Sequence, residues 1–135
     1  MIFVDTVAWL YLFDRSQTSL ERTKAVEFVS SINEALCTSD LVVAETYKWL
    51  IHHGRPVKAA SFILKMFVRQ ELALILPIEQ DDREEAVRLL VKYRDHQLSY
   101  EDAITVALVY RAGIKAVFSF DKHFFLFPGI QRVPE

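Results

Sequence analysis

The sequence predicts an α/β fold in which a mainly parallel sheet is covered by helices on both sides. Short apolar segments alternate with longer helical patterns, and several of those segments are too apolar for strands with one wet face. The third observation is capacity. Of the 135 residues, 52% are hydrophobic and 13% aromatic, enough for one well-filled core. A single domain over residues 1–135 is expected, with any site gathered at the carboxyl ends of the strands.

The run IFV (2–4) reads as a buried strand and leads directly into DTVAWLYLF, a short helix beginning near Asp5 or Thr6. A capping box, Thr18 with Glu21, opens TSLERTKAVEFVSSINEA, whose apolar positions are Ala25, Val26, Phe28, Val29 and Ile32. ALCTS is the second strand, and Ser39 or Asp40 caps a helix that ends near Gly54. Pro56 suits the first turn of the next helix, expected to reach about Gln70 with Phe62, Ile63, Met66 and Phe67 inward. LALILP is the third strand, closed by Pro77. QDDREEAVRLLVKYRDH follows as an acid-started amphipathic helix with Ala86, Leu89, Leu90 and Tyr93 on one side. Ser99 opens SYEDAITVALVYRAG, with Gly113 placed as its C-terminal cap, and KAVFSF is the fourth strand. A short helix or turn at DKHFF and an extended piece, IQRVP, complete the pattern.

Composition narrows the classes. No long Gly, Pro or Ser tract and no internal repeat interrupts the chain, which argues against linkers and disorder. The apolar start carries Asp5 and no basic region, and no apolar run approaches the ~20 residues that span a bilayer, so neither export nor membrane insertion is expected. Cys37 is the only cysteine, which excludes an intramolecular disulfide and a Cys-based zinc site and suits a reducing cytoplasm. The net charge of −2 gives little support to a nucleic-acid partner. Were four of the 18 acids held by metal ions, however, 14 would remain against 16 bases, so a metal-dependent RNA or DNA enzyme is compatible with the charge.

Four acids stand out. Asp5 and Asp121 directly follow apolar strands, Asp102 lies in the first turn of its helix, and Glu45 sits about one and a half turns into its own. Each aspartate has a plain alternative: Asp5 and Asp121 can cap the helices they precede, and Asp102 can complete a box with Ser99. Glu45 is too far inside its helix to cap anything, and its alternative is an ion pair with Lys48 or a partner elsewhere. On the helical wheel Glu45 lies about 40° from both Leu41 and Trp49, so an ionised carboxylate there needs compensation. Taken together, carboxylates converging at one end of a sheet must take up protons or bind cations, and oxygen donors favour a hard ion such as Mg²⁺ or Mn²⁺.

Four stretches, FVDTVAWL, TSDLVVAETYKWL, LSYEDAITVALVYRAGI and VFSFDKHF, come in the order found in the PIN-domain ribonucleases, and in this the chain resembles the small VapC-like toxins of toxin–antitoxin pairs. The resemblance implies a PIN-like three-layer sandwich and places the family's metal-binding acids on Asp5, Glu45, Asp102 and Asp121, with Thr6 and Ser119 as supporting hydroxyls. It implies Mg²⁺-dependent hydrolysis of RNA phosphodiesters by metal-activated water, leaving 5′-phosphate and 3′-hydroxyl ends. A homodimer and an inhibitory cognate antitoxin lying over the active-site groove are implied as well. Leu41 and Trp49 would then form a dry wall around the metal, and Glu101, about 100° from Asp102, would be a surface or rim residue.

Other features carry less. Arg15, Lys48, Lys122 and His123 adjoin the acidic motifs and read either as phosphate contacts or as solvated charge, with His123 assigned to positioning or packing. His52 and His53 suit a helix C-terminus. The aromatic residues Trp9, Tyr11, Phe13, Phe62 and Phe67 read as core or subunit interface rather than base-stacking platforms. The main rival function is a catalytically silent PIN-like module that binds RNA or protein. A phospho-acceptor receiver domain fits less well, because Thr6 rather than a second acid follows Asp5.

Overall fold

The computed structural model describes residues 1–14 and 19–135. Its centre is a five-stranded, all-parallel sheet in the order β3-β2-β1-β4-β5. The strands are β1 (Ile2–Val4), β2 (Leu36–Ser39), β3 (Leu74–Leu76), β4 (Ala116–Phe118) and β5 (Gln131–Val133). The helices are α1 (Thr6–Phe13), α2 (Leu20–Ser31), α3 (Asp40–His52), α4 (Pro56–Ile63), α5 (Gln80–Lys92) and α6 (Tyr100–Ala112). Short 3₁₀ turns span Arg94–His96 and Lys122–Leu126.

Strand order follows from chain direction. From β1 through β3 the sheet grows one way, and the chain then returns to set β4 on the other side of β1. Parallel crossovers are right-handed, so this reversal sends α1–α4 to one face and α5–α6 to the other. The packing agrees: α1 touches α2 and α3, α3 touches α4, and α5 lies along α6. The reversal falls between β1 and β4, and the carboxyl ends of strands at such a switch point are the usual ligand position in sheets of this kind.

The core explains the apolar runs. β1 is wholly buried, and α6 is buried continuously from Ala103 to Val109, as expected of a helix apolar on all sides. Thr38 stitches the site face together: its hydroxyl donates to the Val4 carbonyl at 2.9 Å and accepts from the Trp9 indole at 3.4 Å, tying β2, β1 and α1. Trp9 and Phe62 are core residues, and Tyr11 and Phe13 pack partly buried against the core. Ser39 and Ser99 cap α3 and α6 through their hydroxyls, and Gly113 ends α6 at φ +70°, a conformation that favours glycine. No helix is long and apolar enough to cross a membrane among the described residues.

Three local expectations change. The cap of α2 is Ser19, whose Oγ accepts from the Arg22 amide at 3.1 Å, while the expected cap Thr18, like Arg15, lies outside the described residues. Val26 is exposed because it stands about 100° from Ala25 on α2, outside the arc shared by Phe28, Val29 and Ile32. The helix after Pro56 does not run on as an α-helix to Gln70. It widens into a π-turn at Leu64–Val68, closed by the Arg69 amide on the Leu64 carbonyl, and Gln70 leaves with φ +53°. Phe62 and Met66 are buried there, whereas Phe67, expected inward, is exposed about a quarter-turn from Met66.

α6 is clamped in place by an ion pair between buried Asp82 and solvent-facing Arg111. Arg111 donates from Nε to Asp82 Oδ1 at 2.7 Å and from Nη2 to Asp82 Oδ2 at 3.0 Å, and also to the Pro77 carbonyl at 3.0 Å. Burial raises the Asp82 pKa, but Arg111, the Glu79 amide and Arg83 outweigh it and hold it below the usual carboxylate value. Replacing Arg111 with Met should leave that carboxylate with only the Glu79 amide and the Arg83 charge and cost about 1–2 kcal/mol in urea unfolding at neutral pH. Since the folded-state pKa is lowered, the pair's contribution is complete above the unfolded value of 3.8 and lost as pH falls through the folded one, so the two proteins should converge in acid.

Candidate metal and catalytic site

Asp5 leaves β1 where its own amide still donates to the Phe118 carbonyl of β4 at 3.0 Å, continuing the central ladder by one residue. It is 6% exposed, and its side chain makes no capping bond to α1, which removes the plain alternative for this residue. The carboxylate instead accepts from the buried Ser119 hydroxyl at 2.9 Å, across 114 residues of sequence. The same Ser119 oxygen accepts from the Asp121 amide at 3.0 Å, so one hydroxyl fixes both acids relative to each other.

Asp121 does cap the turn that follows it, whereas Asp102 is capped by Ser99 without completing the box. Asp121 Oδ1 accepts from the His123 amide at 2.9 Å, and the Asp102 amide is capped by Ser99 at 3.0 Å. Neither bond occupies the Asp102 carboxylate. Its Oδ2 lies 3.2 Å from Nδ1 of His123, which is also 3.4 Å from Asp121 Oδ1. Asp102, Asp121 and His123 thus offer three donor atoms within 4.8 Å of one another.

Glu45 corrects one expectation. The inward stripe of α3 is Val42, Val43, Thr46 and Leu50, which leaves Glu45 exposed at its margin rather than in a dry wall. Leu41 lines a groove with Ile75 and Leu76, and Trp49 stacks on His53 at 3.7 Å. No ion pair of Glu45 with Lys48 or any other cation is present among the described residues.

Electrostatics join the four acids. Burial, and then the charge of Asp102, raise the Asp5 carboxyl to about 7, with Glu45 adding to the rise and the Thr6 amide and Ser119 opposing it. Glu45 is raised by desolvation of its carboxyl, then by the charge of Glu101, with smaller contributions from Asp102 and Asp121 and an opposing hydrogen bond from Thr6. Asp102 is raised by burial and by Asp121, against the pull of His123 and Ser99. Two residues therefore count for more than the sequence suggested. Glu101 is the main charge acting on Glu45, and His123 is the one basic side chain paired with the cluster among the described residues. A histidine two places after an acid in a tight turn was the available signal.

Comparison with known proteins follows the geometry. The family model described as "PIN domain" matches residues 2–129. Ribonuclease VapC13 of Mycobacterium tuberculosis is 31% identical over 98% of this chain and 99% of its own. The 23S rRNA-specific endonuclease VapC20 of the same species is 30% identical over 92% of both chains. The crystal structure of VapC20, described as a sarcin-ricin loop cleaving toxin, superimposes with a TM-score of 0.82 at 24% identity over 93% of this chain and 94% of that one. A toxin–antitoxin complex from Klebsiella pneumoniae matches in fold with a TM-score of 0.70 at 19% identity, covering 97% and 96%.

The raised carboxyl of Asp5 sets the pH behaviour of the metal-free protein. A folded-state pKa of about 7 against 3.8 means that the folded chain holds the proton more tightly, so stability falls as pH rises from about 4 through about 7. In chelator, the melting temperature should drop over that range, and Asp5→Asn should flatten the slope and melt higher than wild type at pH 8. An unchanged slope in the variant would place the titration elsewhere.

Proposed function

The chain belongs to the PIN domain family, and on that premise we propose that it is a metal-dependent endoribonuclease of the VapC type, the toxin of a toxin–antitoxin pair. The observation that carries the reading is a set of carboxylates in one electrostatic neighbourhood that the described chain leaves without a lysine or arginine partner. Elsewhere the protein does supply such partners: Arg111 for Asp82, and Arg55 with Lys58 for the buried Asp14. A divalent cation is the remaining compensation, and the oxygen-rich donor set suits Mg²⁺, with Mn²⁺ as a substitute.

In this reading Asp5, Glu45, Asp102 and Asp121 hold the cation and thereby carry the catalysis. When bound, the ion supplies a Lewis acid that acidifies water and offsets phosphate charge. The chain's own residues bind and orient. Ser119 holds one oxygen of Asp5, the Thr6 hydroxyl ties α1 to the Val42 carbonyl one turn before Glu45, and the Ser99 cap fixes the first turn of α6 that carries Asp102. The overall reaction adds water across a phosphodiester, giving 5′-phosphate and 3′-hydroxyl ends. Exposed Lys48, one turn from Glu45, and exposed Lys122, beside Asp121, stand where an RNA backbone approaching the cluster would pass. The same reading supplies a cognate antitoxin as protein partner, a homodimer and a cytoplasmic setting. The likeness in fold to the toxin–antitoxin complex from Klebsiella pneumoniae supports the first of these.

Asp102→Asn should lower metal-dependent RNA cleavage by at least about 10³-fold with an unchanged circular dichroism spectrum. Cleavage at the wild-type rate would overturn the assignment and favour a silent RNA-binding module. Glu45→Gln should weaken Mn²⁺ binding in calorimetry while leaving the metal-free protein at least as stable, since it removes one of several mutually repelling charges; a large loss of stability without metal would make Glu45 a structural residue instead.

A further inference from the structure

We infer that His123 is a nitrogen ligand of the cation held at Asp102 and Asp121, and that it biases this site toward Mn²⁺ over Mg²⁺. The inference rests on the cation-binding reading above and goes beyond its all-carboxylate ligand set.

The geometry carries it. Neighbouring ligands on an octahedral ion with bonds of about 2.1 Å are about 3.0 Å apart. His123 Nδ1 stands 3.2 Å from Asp102 Oδ2 and 3.4 Å from Asp121 Oδ1, close to two edges of such a polyhedron. The ring is held there by the backbone. The His123 amide donates to Asp121 Oδ1, and the next residue, Phe124, is fully buried and anchors the 3₁₀ turn. An ion entering between the three atoms displaces the hydrogen bond that Nδ1 shares with Asp102 Oδ2 and takes an imidazole carrying its proton on Nε2, so that Nδ1 presents its lone pair.

An ion-pair role makes the opposite prediction. A protonated His123 that merely neutralises the two aspartates competes with an incoming cation, so removing it strengthens metal binding. As a ligand, its removal weakens binding, and selectively, because imidazole suits transition ions while Mg²⁺ prefers oxygen and water. Glu45 and Asp5, with oxygen donors only, confer no such preference.

The test is calorimetric titration of the chelator-stripped protein with Mn²⁺ and, separately, Mg²⁺, together with pulsed electron paramagnetic resonance of the Mn²⁺ form. Wild type should show nitrogen hyperfine coupling. His123→Ala and His123→Gln should lose that coupling and about tenfold or more in Mn²⁺ affinity, with less than about a threefold change for Mg²⁺. Unchanged or tighter Mn²⁺ binding in both variants, or no nitrogen coupling in wild type, would overturn the inference. Asp102→Asn separates the two levels. If it abolishes Mn²⁺ binding while the His123 variants do not weaken it, the cation site stands and the histidine ligand falls; if wild type binds no Mn²⁺, both fall.

Discussion

The pairing of β1 with β4 is the constraint on which the site depends. These strands are central neighbours although more than a hundred residues separate them, and their ladder continues one step past β1 through the Asp5 amide. That step sets Asp5 beside the turn after β4, where the Ser119 hydroxyl spans the gap and holds Asp5 and Asp121 in fixed relation. The helices on both faces then deliver the remaining acids to the same end: α3 brings Glu45 and α6 brings Asp102, the latter secured by the Arg111–Asp82 clamp at its far end.

The protein treats its buried or half-buried carboxylates in two ways. Asp82 and Asp14 are neutralised internally by guanidinium and ammonium groups, which fix helices and need nothing from solution. The acids at the sheet's carboxyl edge are left to repel each other, with His123 alone set against two of them. A cluster maintained at a cost to stability is a common mark of a working site. Here the cost falls mainly on Asp5, the most buried of the four.

Much of the fold was legible because its signals are local. The alternation of apolar runs with 3.6-residue periodicity marked β1 to β4 as strands and the place of β5 as an extended piece, and Ser39, Ser99, Pro56 and Gly113 marked helix ends for reasons of backbone hydrogen bonding and φ. Within the site, the positions of Asp5 and Asp121 after strands were also local facts. Non-local relations were not readable. Nothing in DLVVAETYKWL says that Leu41 joins a groove with β3 and that Trp49 stacks on His53, because both depend on neighbours that only the fold supplies. Nor does DKHFF alone reveal that His123 reaches Asp102, 21 residues earlier. The π-turn at Leu64–Val68 escaped for a different reason: its residues are ordinary helix formers, so no local signal separates it from a continued α-helix.

The long reach of the Ser119–Asp5 bond has a consequence for the timing of synthesis. Chains emerge from the ribosome amino end first, so Asp5 and Glu45 are available early, while Asp102, Ser119 and Asp121 come near the end of the 135 residues. Until β4 docks against β1, the early part of the chain carries only fragments of the cluster. The carboxylate cluster is therefore a product of the long-range fold, and it exists only once the β1–β4 pairing has closed.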